Sequence, residues 1–178
     1  MRILGIDPGS AATGFGIVDS EAGRLIHVAH GTLRPSPRSS MAERLHYLHQ
    51  AISEVVRDHA PDAAVIEQVF VSASARSALV LGQARGVALA AVGASGRAVI
   101  EYSASRIKLA VTGNGRAGKV QVQNMVRRLL ELDRPPAQDA ADALAAAICY
   151  ANAGRIGALT QGVCFPAKRS ALRARRAP

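Results

Sequence analysis

The chain is 178 residues long, 49% hydrophobic and only 3% aromatic, with 22 Lys+Arg against 13 Asp+Glu for a formal charge of +9. That length suits one domain able to bury a core without disulfides or a structural metal. The two cysteines, Cys149 and Cys164, sit in no CxxC or Cys/His spacing, so neither a disulfide framework nor a zinc site is indicated.

The N-terminus meets Asp7 without the apolar run and cleavage site of a signal peptide. The longest apolar stretch, Ser77 to Gly96, is broken by Gln83 and Arg85 and is read as too interrupted for a membrane span. A soluble, cytoplasmic protein is expected. Charge is uneven: residues 1–154 hold 16 Lys+Arg and 13 acids, whereas residues 155–178 hold six basic residues and no acid. Residues 1–154 are therefore expected to form the globular domain and 155–178 a flexible basic tail. Arg106, Lys108, Arg116, Lys119, Arg127 and Arg128 fall in a second acid-free segment, between Glu101 and Glu131, a pattern suited to a phosphate backbone.

In chain order, Ile3 to Ile6 reads as a buried strand ending in the Asp7-Pro8-Gly9 turn. Gly14 to Val18 and Arg24 to Leu33 read as two more strands joined by a hairpin-like turn near Asp19 to Gly23. Ser40 and Glu43 form a capping-box pattern ahead of a helix with Leu45, Leu48, Ile52, Val55 and Val56 on one face, closed by Pro61. Ala63 to Glu67 is a strand, Ser77 to Val92 a helix, and Ala98 to Ile100 a short strand. Helical patterns then run over Ser103 to Val111, Val120 to Leu132, and Asp139 to about Ala153, with a glycine-rich loop from Thr112 to Gly118 between the first two. The order βββαβαβα with further helices predicts a three-layer α/β/α body on a mixed sheet.

Asp7, Glu67, Asp139 and Asp142 stand out against this basic background. Taken singly each has an ordinary explanation: a turn opener, a strand end reaching solvent, or acids complementing a helix dipole. Taken together they converge, because the first and fourth strands would end side by side and Asp139 and Asp142, at i and i+3, share one helical face. Four repelling carboxylates call for a cation, and oxygen-only ligands select Mg²⁺ or Mn²⁺ over zinc. Phosphodiester hydrolysis with two metals about 3.5–4 Å apart needs such a shared and flanking set of carboxylates.

Five strings in order, Gly5-Ile6-Asp7-Pro8-Gly9-Ser10, Thr13-Gly14, Ile66-Glu67-Gln68-Val69-Phe70, Leu81-Gly82-Gln83-Ala84-Arg85-Gly86 and Asp139-Ala140-Ala141-Asp142-Ala143-Leu144, resemble the RuvC family of bacterial Holliday-junction resolvases from about residue 2 to 153. The resemblance implies a ribonuclease-H-like fold with a mixed five-stranded sheet. It also implies a homodimer that makes paired, Mg²⁺-dependent nicks in four-way DNA junctions in homologous recombination and repair. Asp7, Glu67, Asp139 and Asp142 would be its catalytic metal ligands; some members of the family carry histidine at the position of Asp139.

By the same resemblance, Lys108 and Lys119 match basic positions near the scissile phosphate, where a cation offsets developing charge. Phe70 could stack on an unpaired base at the junction centre. Arg76 and Arg85 are candidates for backbone phosphates. Gly113 to Lys119 approaches the phosphate-binding P-loop pattern but fails at Val120, which has no hydroxyl for Mg²⁺. That loop is read instead as presenting Arg116 and Lys119 to DNA.

A four-way junction has approximate two-fold symmetry and needs two cuts, so two symmetry-related active sites are expected, with the Ser77 to Val92 helix as candidate interface. The family also works with the branch-migration proteins RuvA and RuvB. Two other readings compete: an ATP-binding module of the actin and sugar-kinase type, which would need a second domain that 178 residues cannot supply, and a non-catalytic junction-binding or RNA-processing protein of the same fold. Retention of all four acids favours the nuclease.

Overall fold

A computed structural model of the chain describes residues 1–68 and 74–156. Three strands, β1 (Arg2–Asp7), β2 (Thr13–Glu21) and β3 (Arg24–Leu33), follow one another antiparallel. β4 (Ala63–Gln68) adds to the other side of β1 in parallel, and β5 (Ala98–Ser103) lies parallel beyond it, giving the order β3-β2-β1-β4-β5. The parallel steps require crossovers, and helices provide them: α1 (Met41–His59) leads into β4 and α2 (Ala75–Ala94) into β5. α3 (Ala104–Thr112), α4 (Lys119–Leu129) and α5 (Gln138–Ile156) complete the chain.

The pleat of β1 divides the core. Leu4 and Ile6 point to one face, where they join Ile17, Ala64 and Ile66 beneath Ile52 and Val56 of α1 and Ala88, Ala91 and Val92 of α2. Ile3 points to the other and packs with Val18, Val65 and Ile100 beneath Ile107, Val111, Val122, Val126, Leu144 and Ile148 from α3, α4 and α5. The result is the expected three-layer α/β/α, ribonuclease-H-like architecture.

Local signals explain most boundaries. The Ser40 hydroxyl accepts from the Glu43 amide and the Glu43 carboxylate accepts from the Ser40 amide, so the capping box forms and starts α1. α1 ends at Ala60 in a left-handed conformation, just before Pro61. β2 runs to Glu21, so the turn into β3 is the two residues Ala22 and Gly23, both at positive φ as a primed hairpin turn requires. This is tighter than the Asp19 to Gly23 turn expected from the sequence. α5 reaches Ile156, past the expected boundary at 154, and residues 157–178, which make up nearly all of the expected tail, lie outside the described residues.

α2 corrects a second expectation. By length and composition it is apolar enough to cross a membrane despite Gln83 and Arg85. In this fold it lies against α1 and β5, and Arg85 is ion-paired to Glu101 on β5. Much of the rest of the helix is open: Leu79 is 69% exposed, and Gly82 and Gly86 face free space.

α5 is the inner helix of its layer. Ala140, Ala141, Ala143, Ala145, Ala146 and Ala147 are fully buried along it. Opposite them the sheet carries glycine: a Cβ on Gly5 would collide with the carbonyl oxygen of Ala143, one on Gly14 with that of Asp139, and one on Gly16 with the Leu144 side chain. Alanine on the helix and glycine on the sheet let the two backbones meet almost without side chains between them, and this sets where the N-terminus of α5 falls.

Candidate active site at the ends of β1 and β4

β1 and β4 are parallel and in register through Ile6 and Ile66, so Asp7 and Glu67 follow as neighbours at adjacent strand ends, about 4.8 Å apart strand to strand. Both sit two residues on from positions that face α5, Asp7 beyond Gly5 and Glu67 beyond Val65, so the pleat turns them toward α5. Gly14 lies opposite Asp7 in the β1–β2 ladder and touches the backbone of Asp139 in the first turn of α5. The close seat of α5 thus carries Asp139 and Asp142 onto the same strand ends, with all four carboxylates half-buried. Lys108 of α3 and Lys119, the first residue of α4, complete the surround.

The electrostatics follow from this crowding. Burial, reinforced by the charges of Glu67, Asp142 and Asp139 and opposed by Lys119, raises the Asp7 carboxyl to about 7. Glu67 is raised by burial and by Asp142, against the pull of Lys108 and Lys119. Asp142 is raised by burial and by Asp139, again opposed by Lys119 and Lys108. The acids converge within electrostatic reach, while among the described residues no three His, Cys, Asp or Glu side chains are gathered tightly enough to hold an ion. Like charges at close quarters push one another apart. As a donor set the four offer only hard carboxylate oxygens on two rigid strand ends and one helical turn. That chemistry fits a divalent cation of the Mg²⁺ class, which would relieve the repulsion that raises these groups.

Three supporting residues were not assigned these roles from the sequence, although Thr13 lies in the Thr13-Gly14 string. Thr13, the one buried polar side chain among the described residues, donates to the Gly9 carbonyl at 2.8 Å and accepts from the Gly9 amide at 3.2 Å, closing the turn that follows Asp7. The Arg44 guanidinium donates to the Ser10 carbonyl in the same turn. Arg34, just past β3, lies 3.8 Å from the Asp139 carboxylate and is largely exposed. Each contact joins positions distant along the chain or hidden inside a turn, so no periodicity marks it.

The chain matches the family described as crossover junction endodeoxyribonuclease RuvC over residues 3–150. Relatives of that description are 49% identical in Cupriavidus metallidurans and 50% identical in Burkholderia vietnamiensis, in each case over 99% of this chain and 97% of the relative. It belongs to the RuvC family. Among solved structures it is similar to Thermus thermophilus RuvC (TM-score 0.80, 33% identity, 88% of this chain and 97% of the other). It is also similar to T. thermophilus RuvC in complex with a Holliday junction substrate (TM-score 0.82, 33% identity, 88% and 96%). The yeast mitochondrial Holliday junction resolvase, at 13% identity and a TM-score of 0.61, shares the fold.

The other RuvC residues expected at DNA are placed unevenly. Lys108 is half-buried beside the acids; Lys119 and Arg116 are exposed on the α3–α4 connection, where Gly113 takes a positive φ of 75° and Asn114 accepts from the Arg116 amide. That connection follows a helix rather than a strand, which removes the P-loop reading. Arg76, exposed in the first turn of α2, lines a concavity with Ser10, Ser77, Val80 and Leu81 beside the Asp7 turn. Arg85 does not meet its expectation: it is half-buried and bound to Glu101, so its guanidinium joins α2 to β5 rather than reaching for a phosphate. Phe70 lies outside the described residues.

Proposed function

We propose that this protein is a structure-selective endonuclease that resolves Holliday junctions by paired symmetric nicks in homologous recombination and DNA repair. The observation that carries the reading is the convergence of Asp7, Glu67, Asp139 and Asp142 with two lysines beside them, in a chain of the RuvC family. The four acids hold Mg²⁺, with Mn²⁺ able to substitute, and two ions fit the number of carboxylates. Held by these acids, such ions would supply the activation of water and the stabilisation of the leaving oxygen that phosphodiester hydrolysis needs.

The chain's own residues do the rest. Asp7 and Glu67, on rigid strands, set the ligand geometry; Asp139 and Asp142 close it from α5. Lys108 and Lys119 offset charge building on the scissile phosphate, a preorganised electrostatic contribution. Arg76 and Arg116 hold backbone phosphates on either side, and Phe70 stacks on an opened base at the crossover, a contact worth about 1–3 kcal/mol.

Two-fold symmetry of the junction calls for a homodimer. The open, apolar side of α2, with Leu79, Gly82 and Gly86, is the surface through which two copies would meet. On this reading the protein works in the cytoplasm, in keeping with a chromosomal DNA substrate, with RuvA and RuvB as partners, a reading supported by the family resemblance. A non-catalytic binding module is the poorer reading, because it gives the mutually repelling acids no purpose.

The test is nicking of a synthetic mobile four-way junction beside a linear duplex of the same sequence, in Mg²⁺, Mn²⁺ or EDTA. Symmetric cuts confined to the junction, dependent on the metal and lost in Asp7→Asn, are expected. Binding without cleavage in every metal would replace the enzyme with the binding module.

A further inference from the structure

β3 carries a feature the nuclease reading does not use. His27 and His30 are three residues apart, a spacing that puts side chains of a regular strand on opposite faces. The β2–β3 ladder slips between them: Ile17 pairs with Ala29 and Val18 pairs with His27, so Val28 is an extra residue and the strand bulges. His27 then stands opposite Val18 and His30 opposite Gly16, both on the α5 side of the sheet. The two rings meet edge to face with centroids 4.8 Å apart, and His27 Nε2 and His30 Nδ1 are 2.7 Å from each other. One ring N–H donates to the lone pair of the other. His27 is half-buried and His30 exposed, so the point where the two nitrogens converge is open to solvent.

We infer that His27 and His30 form a two-imidazole binding site for a borderline transition-metal ion such as Zn²⁺ or Ni²⁺, separate from the carboxylate site and completed by water. Imidazole nitrogen selects these ions, whereas the oxygen-only acid cluster selects Mg²⁺ or Mn²⁺, so the two sites discriminate by ligand chemistry. Tetrahedral Zn–N bonds of about 2.0–2.1 Å place two ligating nitrogens roughly 3.3 Å apart, so the rings need to open from 2.7 Å by about 0.6 Å. Binding replaces the N–H···N hydrogen bond by two N–metal bonds. One ring moves its proton to its outer nitrogen through solvent, and no net proton is released from the neutral pair. Desolvation lowers the proton affinity of each ring, helped at His27 by the neighbouring His30, and keeps that neutral, ligating form available.

The experiment is a calorimetric titration of the full chain with Zn²⁺ in excess Mg²⁺, which occupies the acids. It is paired with long-range ¹H–¹⁵N NMR of the histidine ring nitrogens. Expected are one saturable Zn²⁺ site, shifts at His27 Nε2 and His30 Nδ1, at least tenfold weaker binding in both His27→Ala and His30→Ala, and unchanged Mg²⁺-dependent junction cleavage in those variants. Zn²⁺ affinity equal in the wild type and both variants, no saturable binding below about millimolar, or ring shifts confined to His46, His49 and His59 would overturn it. The wild-type NMR reading does not depend on either variant folding.

Discussion

Asp7 is where charge and stability are most tightly coupled. Its carboxyl titrates near 3.8 in an exposed peptide and at about 7 in the fold. Between those values the native state binds more protons than the unfolded one, so stability falls as pH rises from about 4 to about 7 and stays reduced above. Glu67 and Asp142 are displaced in the same direction. The Asp7 displacement alone corresponds to at most about 4 kcal/mol. In EDTA the melting temperature is therefore expected to drop by roughly 5 °C or more between pH 5 and pH 8, a slope that Asp7→Asn flattens. Mg²⁺ at pH 8 should restore more of the loss in the wild type than in Asp142→Asn; equal recovery in a thermal shift assay would refute a shared cation. The four acids stood out in the sequence only as a set, because each alone has an ordinary use at a strand end or near a helix start, whereas their joint placement and the motif strings around them point to one site. The roles of Thr13, seen only as part of a motif string, and of Arg34 were not legible there, since a hydroxyl folded back on its own turn and an arginine reaching α5 from just past β3 leave no trace in spacing.

At the scale of elements, the active site depends on how closely α5 sits on β1 and β2. Gly14→Ala forces a Cβ into the Asp139 carbonyl, a rigid backbone atom, and must lift the first turn of α5 away from the strand ends. It is expected to cost about 2–3 kcal/mol and to abolish nicking even though no acid is changed. Gly93→Ala, in α2 with open space around it, should be neutral or stabilising by up to about 1 kcal/mol. Chemical denaturation of the two variants side by side reads the difference. Strand and helix positions followed from hydrophobic period and capping, yet the role of Gly5, Gly14 and Gly16 as the seat of α5 did not, because a glycine in a strand looks the same whether it meets solvent or a helix backbone.

For the whole molecule, the question is what covers α2. Within one chain it buries chiefly its alanines and Val92, leaving Leu79 largely exposed and Gly82 and Gly86 unopposed. Glycine within a helix costs about 1 kcal/mol relative to alanine, and a closely approaching partner helix gives that cost a use. Gly86→Leu is expected to convert a dimer to a monomer in sedimentation velocity with little change in far-ultraviolet circular dichroism. The same variant should turn paired nicking into single, uncoordinated nicks. A wild-type monomer at micromolar concentration would remove α2 as the interface.

The order of elements, the mixed sheet and the identity of the four acids were set by the sequence itself, because hydrophobic period, caps and the short motifs around Asp7, Glu67 and Asp139 are local properties of the chain. What depended on tertiary structure was long-range pairing. The ion pair that diverts Arg85 to Glu101 and the glycine seat that sets the acids against one another join segments whose separation along the chain says nothing of their distance in space, and the bulge that turns His27 and His30 to one face is set by the register of β3 on β2. Local sequence can encode which groups a site contains; their charges, partners and separations are fixed only when the backbone closes around them.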